Sequence, residues 1–230
     1  MHDNLNSTDF IHHPDGRRTA FCVYGDPAGQ PVFYFHGTPG SRLEPRMGHA
    51  AGCRYGYQII SPDRPGIGLS DPAPGRTLLD WPMDVCQAAD QLGIDQFGVI
   101  GVSGGGAYAL ACSYAIPDRL TFSVLMGSWA PVAEEPVLWN EMAPLDKFFG
   151  RIAKTFPWAF HSVFATIGFG AKRLSPEGFI RSLESSLCEA DKNLLADPET
   201  AGFFQEDIRE AFRQGVRGPA SDAALLYDSW

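Results

Sequence analysis

The stretch that decides the fold is Phe97-Gly98-Val99-Ile100-Gly101-Val102-Ser103-Gly104-Gly105-Gly106-Ala107-Tyr108-Ala109-Leu110-Ala111-Cys112. Its first six residues form a short apolar run suited to a buried strand, and the segment from Ala107 onward reads as a helix. Between them lies Gly101-Val102-Ser103-Gly104-Gly105, a G-x-S-x-G sequence. In a strand–turn–helix setting this pattern holds the serine on a sharp, strained bend with its hydroxyl exposed above the sheet. Gly101 and Gly105 remove the Cβ atoms that would collide across so tight a turn. The following helix aims unpaired N–H groups and its positive dipole end at the point where negative charge would develop. Ser103 is therefore the candidate nucleophile, set against the competing reading of a plain glycine-rich turn.

Composition frames what such a site can belong to. The 230 residues are 44% hydrophobic and 20% charged, which is ordinary for a globular protein large enough for one domain and an elaboration. A net charge of −9 without any local Lys/Arg cluster argues against a nucleic-acid surface. The polar start, Met1-His2-Asp3-Asn4-Leu5-Asn6, lacks the regions of a signal peptide, and no apolar run approaches membrane-spanning length. Cys22, Cys53, Cys86, Cys112 and Cys188 are odd in number and widely spaced, which suits reduced thiols in a cytoplasmic protein. No cysteine or histidine spacing marks a metal site, and the expected chemistry needs no cofactor.

Residues 10–13 and 17–24 read as a hairpin across Pro14-Asp15-Gly16. Residues 31–36, 57–61, 97–102 and 120–126 read as strands, with 31–36 apolar enough for the middle of a covered sheet. Residues 42–54, 77–92 and 104–115 read as the intervening helices. This alternation predicts a mostly parallel, doubly wound sheet over residues 1–129, with its active edge at the strand C-termini. After Ser128-Trp129 the texture changes, and residues 130–230 contain no convincing strand. Ser175-Pro176-Glu177 and Asp197-Pro198-Glu199 are helix starts. Phe179, Ile180, Leu183 and Leu187 fall on one helical face. The segment reads as an all-helical cap. Its dense aromatics are Phe148, Phe149, Phe156, Trp158, Phe160, Phe164, Phe169, Phe203, Phe204 and Phe212. Most are expected in the cap's own core, with a minority lining a substrate pocket.

Two loops fit the Ser103 turn. His36-Gly37-Thr38-Pro39-Gly40-Ser41 follows the central strand, where a backbone N–H should supply one oxyanion donor. Pro39 has no N–H, so Thr38 is the expected donor, and Gly104 supplies the other. His36, Gly37 and Gly40 shape this loop, as Gly101 and Gly105 shape the turn. In Asp63-Arg64-Pro65-Gly66-Ile67-Gly68-Leu69-Ser70-Asp71, Asp63, Arg64 and Asp71 read as ion-pairing groups that shape the loop rather than as catalysts.

The motifs HGTPGS (36–41), DRPGIGLSD (63–71) and GVSGGG (101–106), in this order, resemble the α/β-hydrolase superfamily. More narrowly they resemble its cap-bearing esterase and prolyl-iminopeptidase-like branch. The resemblance covers residues 8–129 motif by motif, and the cap by position and helical texture only. It implies a serine hydrolase in which Ser103 attacks a small ester or amide while the Thr38 and Gly104 amides hold the oxyanion. Serine at the turn separates the chain from the dehalogenase and epoxide-hydrolase branches, which use aspartate there. One departure is large. The family's triad runs serine, acid, histidine, yet His161, inside the cap, is the only histidine after Ser103. No acid follows residues 120–126 directly, the next being Glu134 and Glu135. Three readings stay open: a C-terminally incomplete form of an ordinary serine hydrolase, a rearranged site using His161 as base, or a non-catalytic small-molecule-binding version of the fold. A core lacking its last strands would also leave an unpaired edge, through which self-association is expected.

Overall fold

The computed structural model describes residues 7–184 and 187–229. Strands β1 (Asp9–His12) and β2 (Arg18–Gly25) form the expected hairpin, with Gly16 supplying the positive φ, 88°, that its turn requires. Antiparallel pairing of β2 with β4 (Tyr57–Pro62) joins this hairpin to a parallel set. In that set β3 (Gln30–Phe35) lies between β4 and β5 (Phe97–Val102), and β6 (Leu120–Met126) is the outer strand. The sheet order is therefore β1-β2-β4-β3-β5-β6, the mostly parallel arrangement expected. Phe33 and Phe35 on β3 are fully buried, as a strand covered on both faces requires.

Helices α1 (His49–Tyr55), α2 (Trp81–Gln91) and α3 (Gly105–Ala115) flank the sheet. Two expected helices are shorter than their apolar patterns suggest. Residues 42–54 divide into a 3-10 turn, Glu44–Gly48, and α1. Pro45 opens that turn, and a proline tolerates only first-turn positions. Residues 77–92 likewise begin as a 3-10 turn, Leu78–Asp80, capped reciprocally by Thr77 and Asp80, before α2 starts with Pro82 in its first turn.

Beyond β6 the described residues form helices only: α4 (Pro136–Glu141), α5 (Pro144–Thr155), α6 (Pro157–Arg173), α7 (Pro176–Leu183), α8 (Glu189–Leu195), α9 (Pro198–Ala211) and α10 (Arg217–Leu225). Ser175 and Asp197 cap α7 and α9 by accepting from the amides of Gly178 and Thr200. The expected four-residue face on α7 stops at Leu183, because the helix tightens there through a Glu184-to-Arg181 backbone bond; Leu187 lies past its end. Phe160, Phe164 and Phe212 are buried among the helices, whereas Phe148, Phe156, Trp158 and Phe169 stand exposed. The helical region's core thus uses fewer of its aromatics than their density implies.

A second core fills the sheet side, where Phe33 meets Phe97 edge-on at 4.9 Å and Trp81 lies between Phe35 and Tyr108. Helix α10 and the turn after it join the two cores. Leu226 packs into the sheet-side cluster, while Ala223 and Tyr227 pack into the helical one. The sheet's outer strands differ sharply. In β1 the last residue, His12, is tied to Gln91 of α2 by paired backbone–side-chain hydrogen bonds, while Asp9 and Phe10 stand exposed. β6 carries no charged residue and leaves Val124, Leu125 and Met126 exposed.

Candidate active site

Ser103 is the one non-glycine residue with positive φ among the described residues, at 52°, a backbone region that L-residues visit rarely. The bend is fastened at both ends. Its N–H donates to the Met126 carbonyl at 2.9 Å, and its carbonyl accepts from Gly106 at 3.1 Å and Trp129 at 3.0 Å. A Cβ on Gly101 would strike the backbone of Gly105 and Gly106, and one on Gly105 would strike the carbonyls of Phe35 and His36. Only glycine lets the turn close this tightly. Ser103 itself is exposed, at the start of α3.

The 36–41 loop sits directly against this turn. A Cβ built on Gly37 would lie 3.7 Å from Ser103 Cβ, and one on Gly104 would lie 2.9 Å from Thr38 Cβ. The Gly37 N–H is already donated to Glu44 Oε2 at 2.7 Å, and Pro39 has none. Gly40 is pressed against Glu44 and the Gly37 carbonyl, where a side chain would not fit. His36 is fully buried. Its Nε2 accepts from the Arg64 amide at 3.3 Å, which makes Nδ1, 2.9 Å from the Gly37 carbonyl, the protonated nitrogen. Burial, reinforced by the Arg64 charge, holds this imidazole well below its ordinary pKa. It is a neutral loop fastener with neither nitrogen free.

Asp63 and Arg64 are also fully buried, and they belong to different networks. Asp63 accepts from the Arg42 amide and guanidinium, both at 2.7 Å, and from Leu69 N at 3.0 Å. Burial still raises its carboxyl above the ordinary value, against the pull of Arg42. Arg64 reaches the opposite way, into Asp222 at 2.7 Å. Asp71 accepts from the Arg18 amide at 2.9 Å and ties the end of the loop to β2.

Above Ser103 lies a chamber of about 170 Å³. Thr38, Pro39, Ser103 and Gly104 form its floor. Trp129, Phe149, Phe160 and Phe164 line its walls, and Ala223, Leu226 and Tyr227 face it from α10 and the turn beyond. Asp146 of α5 is the one carboxylate in this lining among the described residues, and burial raises its pKa. Trp129 and Asp146 also line a neighbouring cleft of about 240 Å³ together with Glu141 and Met142. No histidine lines either space among the described residues. His161 lies on α6 beside the lining residue Phe160 but outside the chamber, and His2 is outside the described residues. No group of three or more histidines, cysteines or carboxylates is placed to hold a metal, and no helix is long and apolar enough to cross a membrane, among the described residues.

Residues that the motifs did not reveal complete the site. Asp222, Arg76 and Tyr108 meet Arg64 in one buried cluster, and Glu44 and Asp207 hold the other side of the 36–44 segment. The legible trace of Asp222 was a lone charge within Pro219-Ala220-Ser221-Asp222-Ala223-Ala224, a stretch otherwise of small residues.

Comparison with known proteins agrees with this fold. The profile of the alpha/beta hydrolase fold family matches residues 30–221. A proline iminopeptidase of Neisseria meningitidis serogroup A is 30% identical over 199 residues, covering 81% of this chain and 60% of that protein. A 2-hydroxymuconate semialdehyde hydrolase of Pseudomonas putida is 35% identical over 116 residues, covering 49% of this chain and 41% of that one. Among solved structures, a hydrolase from Pseudomonas aeruginosa PA01 superposes with a TM-score of 0.66 at 17% identity, covering 98% of this chain and 74% of that one. The chain spans about 60% of the length of the iminopeptidase it matches.

Proposed function

The chain belongs to the alpha/beta hydrolase fold family, and from that premise we propose that it carries the nucleophile and oxyanion site of a serine hydrolase acting on small amides or esters. Ser103 Oγ bonds to the acyl carbon as the carbonyl's π electrons move onto oxygen. The Thr38 and Gly104 amides receive that oxyanion. As the intermediate collapses, the acyl–nitrogen or acyl–oxygen bond breaks, the leaving amine or alcohol takes the proton that a base drew from Ser103, and water then hydrolyses the acyl–Ser103 ester. The observation that carries this reading is the left-handed φ of an exposed serine, a conformation costing about 1–3 kcal/mol wherever the surroundings do not require it. The loop beside it supports the oxyanion assignment. With Gly37 N–H donated to Glu44 and Pro39 lacking one, Thr38 is the remaining amide next to Gly104.

The serine proton needs a base, and His36 is committed at both nitrogens. We therefore read the triad acid and base as belonging to sequence outside the described residues. Asp146 narrows the substrate. A carboxylate that lines this chamber with no cation among the other described lining residues favours a substrate bearing an amine, whose charge would lower the raised pKa of that acid. This points toward amino-terminal amides, in keeping with relatives named proline iminopeptidase.

A fluorophosphonate with peptide mapping tests the reading. The adduct is expected on Ser103, absent in Ser103→Ala, slow in buffer and accelerated by added imidazole standing in for the base. The second reading, a binding protein that keeps the chamber without chemistry, is favoured by the histidine-free lining. It would be supported by labelling no faster than Ser103→Ala with or without imidazole.

A further inference from the structure

Thr38 is held from a distant part of the chain. Asp222, on α10, is fully buried, and both its oxygens are occupied. Oδ1 accepts from Arg64 Nε at 2.9 Å, Arg76 Nη2 at 2.6 Å and the Tyr108 hydroxyl at 2.6 Å. Oδ2 accepts from Arg64 Nη2 at 2.7 Å and from the Thr38 hydroxyl at 3.0 Å. Arg64 spends its other donors on the 36–38 segment: the His36 carbonyl at 2.5 Å, the Gly37 carbonyl at 2.9 Å and Thr38 Oγ1 at 2.8 Å. The Thr38 hydroxyl therefore donates to a buried anion and accepts from a buried cation, while the two carbonyls before it face the same guanidinium.

Stability alone is a weak reason for this arrangement. Desolvating a buried ion pair offsets much of its Coulombic gain, and apolar residues of similar volume often serve as well. What the cluster supplies is direction. Two oppositely charged partners fix the Thr38 side chain, and the guanidinium fixes the peptide groups that precede it. An oxyanion donor works only when preorganised. Helix α10 also places Ala223, the residue after Asp222, against the chamber, with Leu226 facing it from the turn beyond, so one helix touches both the substrate space and the loop.

We infer that Asp222 is a positioning residue: with Arg64 it clamps the Thr38 hydroxyl, aims the Thr38 amide at the oxyanion over Ser103, and links the α10 wall of the chamber to that amide. The inference rests on the serine-hydrolase reading and extends it to residues that never touch substrate.

Asp222→Asn, Thr38→Val and Thr38→Ser test it. The readouts are the maximal rate and half-saturating concentration of fluorophosphonate labelling at Ser103 with imidazole present, and hydrogen exchange at the amides of Gly37, Thr38, Gly40 and Ser41. Asp222→Asn and Thr38→Val are expected to lower the maximal rate on the order of tenfold to a hundredfold with half-saturation unchanged. Exchange at Gly37, Thr38, Gly40 and Ser41 should quicken while the sheet amides stay as they were, and Thr38→Ser, which keeps the hydroxyl, should lose clearly less rate than Thr38→Val. Thr38→Val labelling at the wild-type rate overturns the inference. Equal losses in Thr38→Val and Thr38→Ser overturn it too, because the hydroxyl then contributes nothing. If Asp222→Asn fails to fold, Thr38→Val carries the test, since it leaves the ion pairs intact. If wild-type Ser103 takes no label, the hydrolase reading has failed, and exchange decides the clamp alone: unchanged protection in Thr38→Val refutes it.

Discussion

The segment from His36 to Glu44 is gripped from two sides by inward-facing charge, and the two sides are built in opposite ways. On one side Asp222 lies between Arg64 and Arg76. Burial alone would push its carboxyl up, but the two guanidinium groups and the Tyr108 hydroxyl reverse that and hold it well below the usual carboxylate range. On the other side the anchors are acids facing neutral donors. Glu44 accepts from Gly37 N and the Tyr34 hydroxyl, both at 2.7 Å. Asp207 accepts from Ser41 N at 3.1 Å and Ser41 Oγ at 2.5 Å. Burial raises both acids, and Glu44 and Asp63 push Asp207 further up, against the Ser41 hydrogen bonds. Cation pairing therefore keeps one grip charged and steady above the ordinary carboxylate pKa, with loss only in acid, and its lack makes the other titrate upward of that value.

The largest effect that could break this contrast is expected from Arg64→Met. It leaves Asp222 with one guanidinium and strips donors from the His36 and Gly37 carbonyls, so unfolding in urea should show a loss of about 3–5 kcal/mol. A loss below about 1 kcal/mol would put the grip elsewhere.

Asp207→Asn sharpens the other side. An acid whose folded pKa is raised binds its proton more tightly folded than unfolded, so it lowers stability as pH rises from its ordinary value near 3.8 through the raised one. Its contribution is full below that window and lost above it. Unfolding free energies measured from pH 4 to 8 should fall less steeply in Asp207→Asn, by on the order of 1 kcal/mol per pH unit within the window. Asp222→Asn should leave that slope unchanged, and an equal flattening in both variants would erase the contrast.

The smallest effect on stability is expected at the sheet's open edge. β1 carries Asp9 and has His12 held by Gln91, whereas β6 is uncharged with Val124, Leu125 and Met126 exposed, so we expect copies of the chain to associate through β6. Val124→Lys places a charge on that edge, the device natural sheets use against pairing. Sedimentation should show the wild type self-associating and Val124→Lys shifted toward monomer, with stability within about 0.5 kcal/mol. A monomeric wild type would remove this expectation.

What the sequence disclosed follows the range of each interaction. Strands such as Phe97–Val102 were legible because a buried parallel strand is a short apolar run, and the turn at Ser103 because its glycines are sterically required within five residues. The split of residues 42–54 was harder to see, since Glu44 turns inward to serve Gly37 and Tyr34 instead of continuing a helix. Asp222 showed locally only as a lone charge, and its partners lay beyond local reading. It meets Thr38 across 184 positions, and no periodicity links residues so far apart. The aromatic density after Trp129 was visible, but which rings face water depends on helix orientations fixed only by packing.

The most direct measurement of the central claim is a crystal structure of the phosphonylated protein. The account predicts phosphorus on Ser103 Oγ with its phosphoryl oxygen about 2.7–3.1 Å from the amides of both Thr38 and Gly104. An adduct on Ser103 whose oxygen turns away from those two amides, or an adduct on another residue, would contradict it.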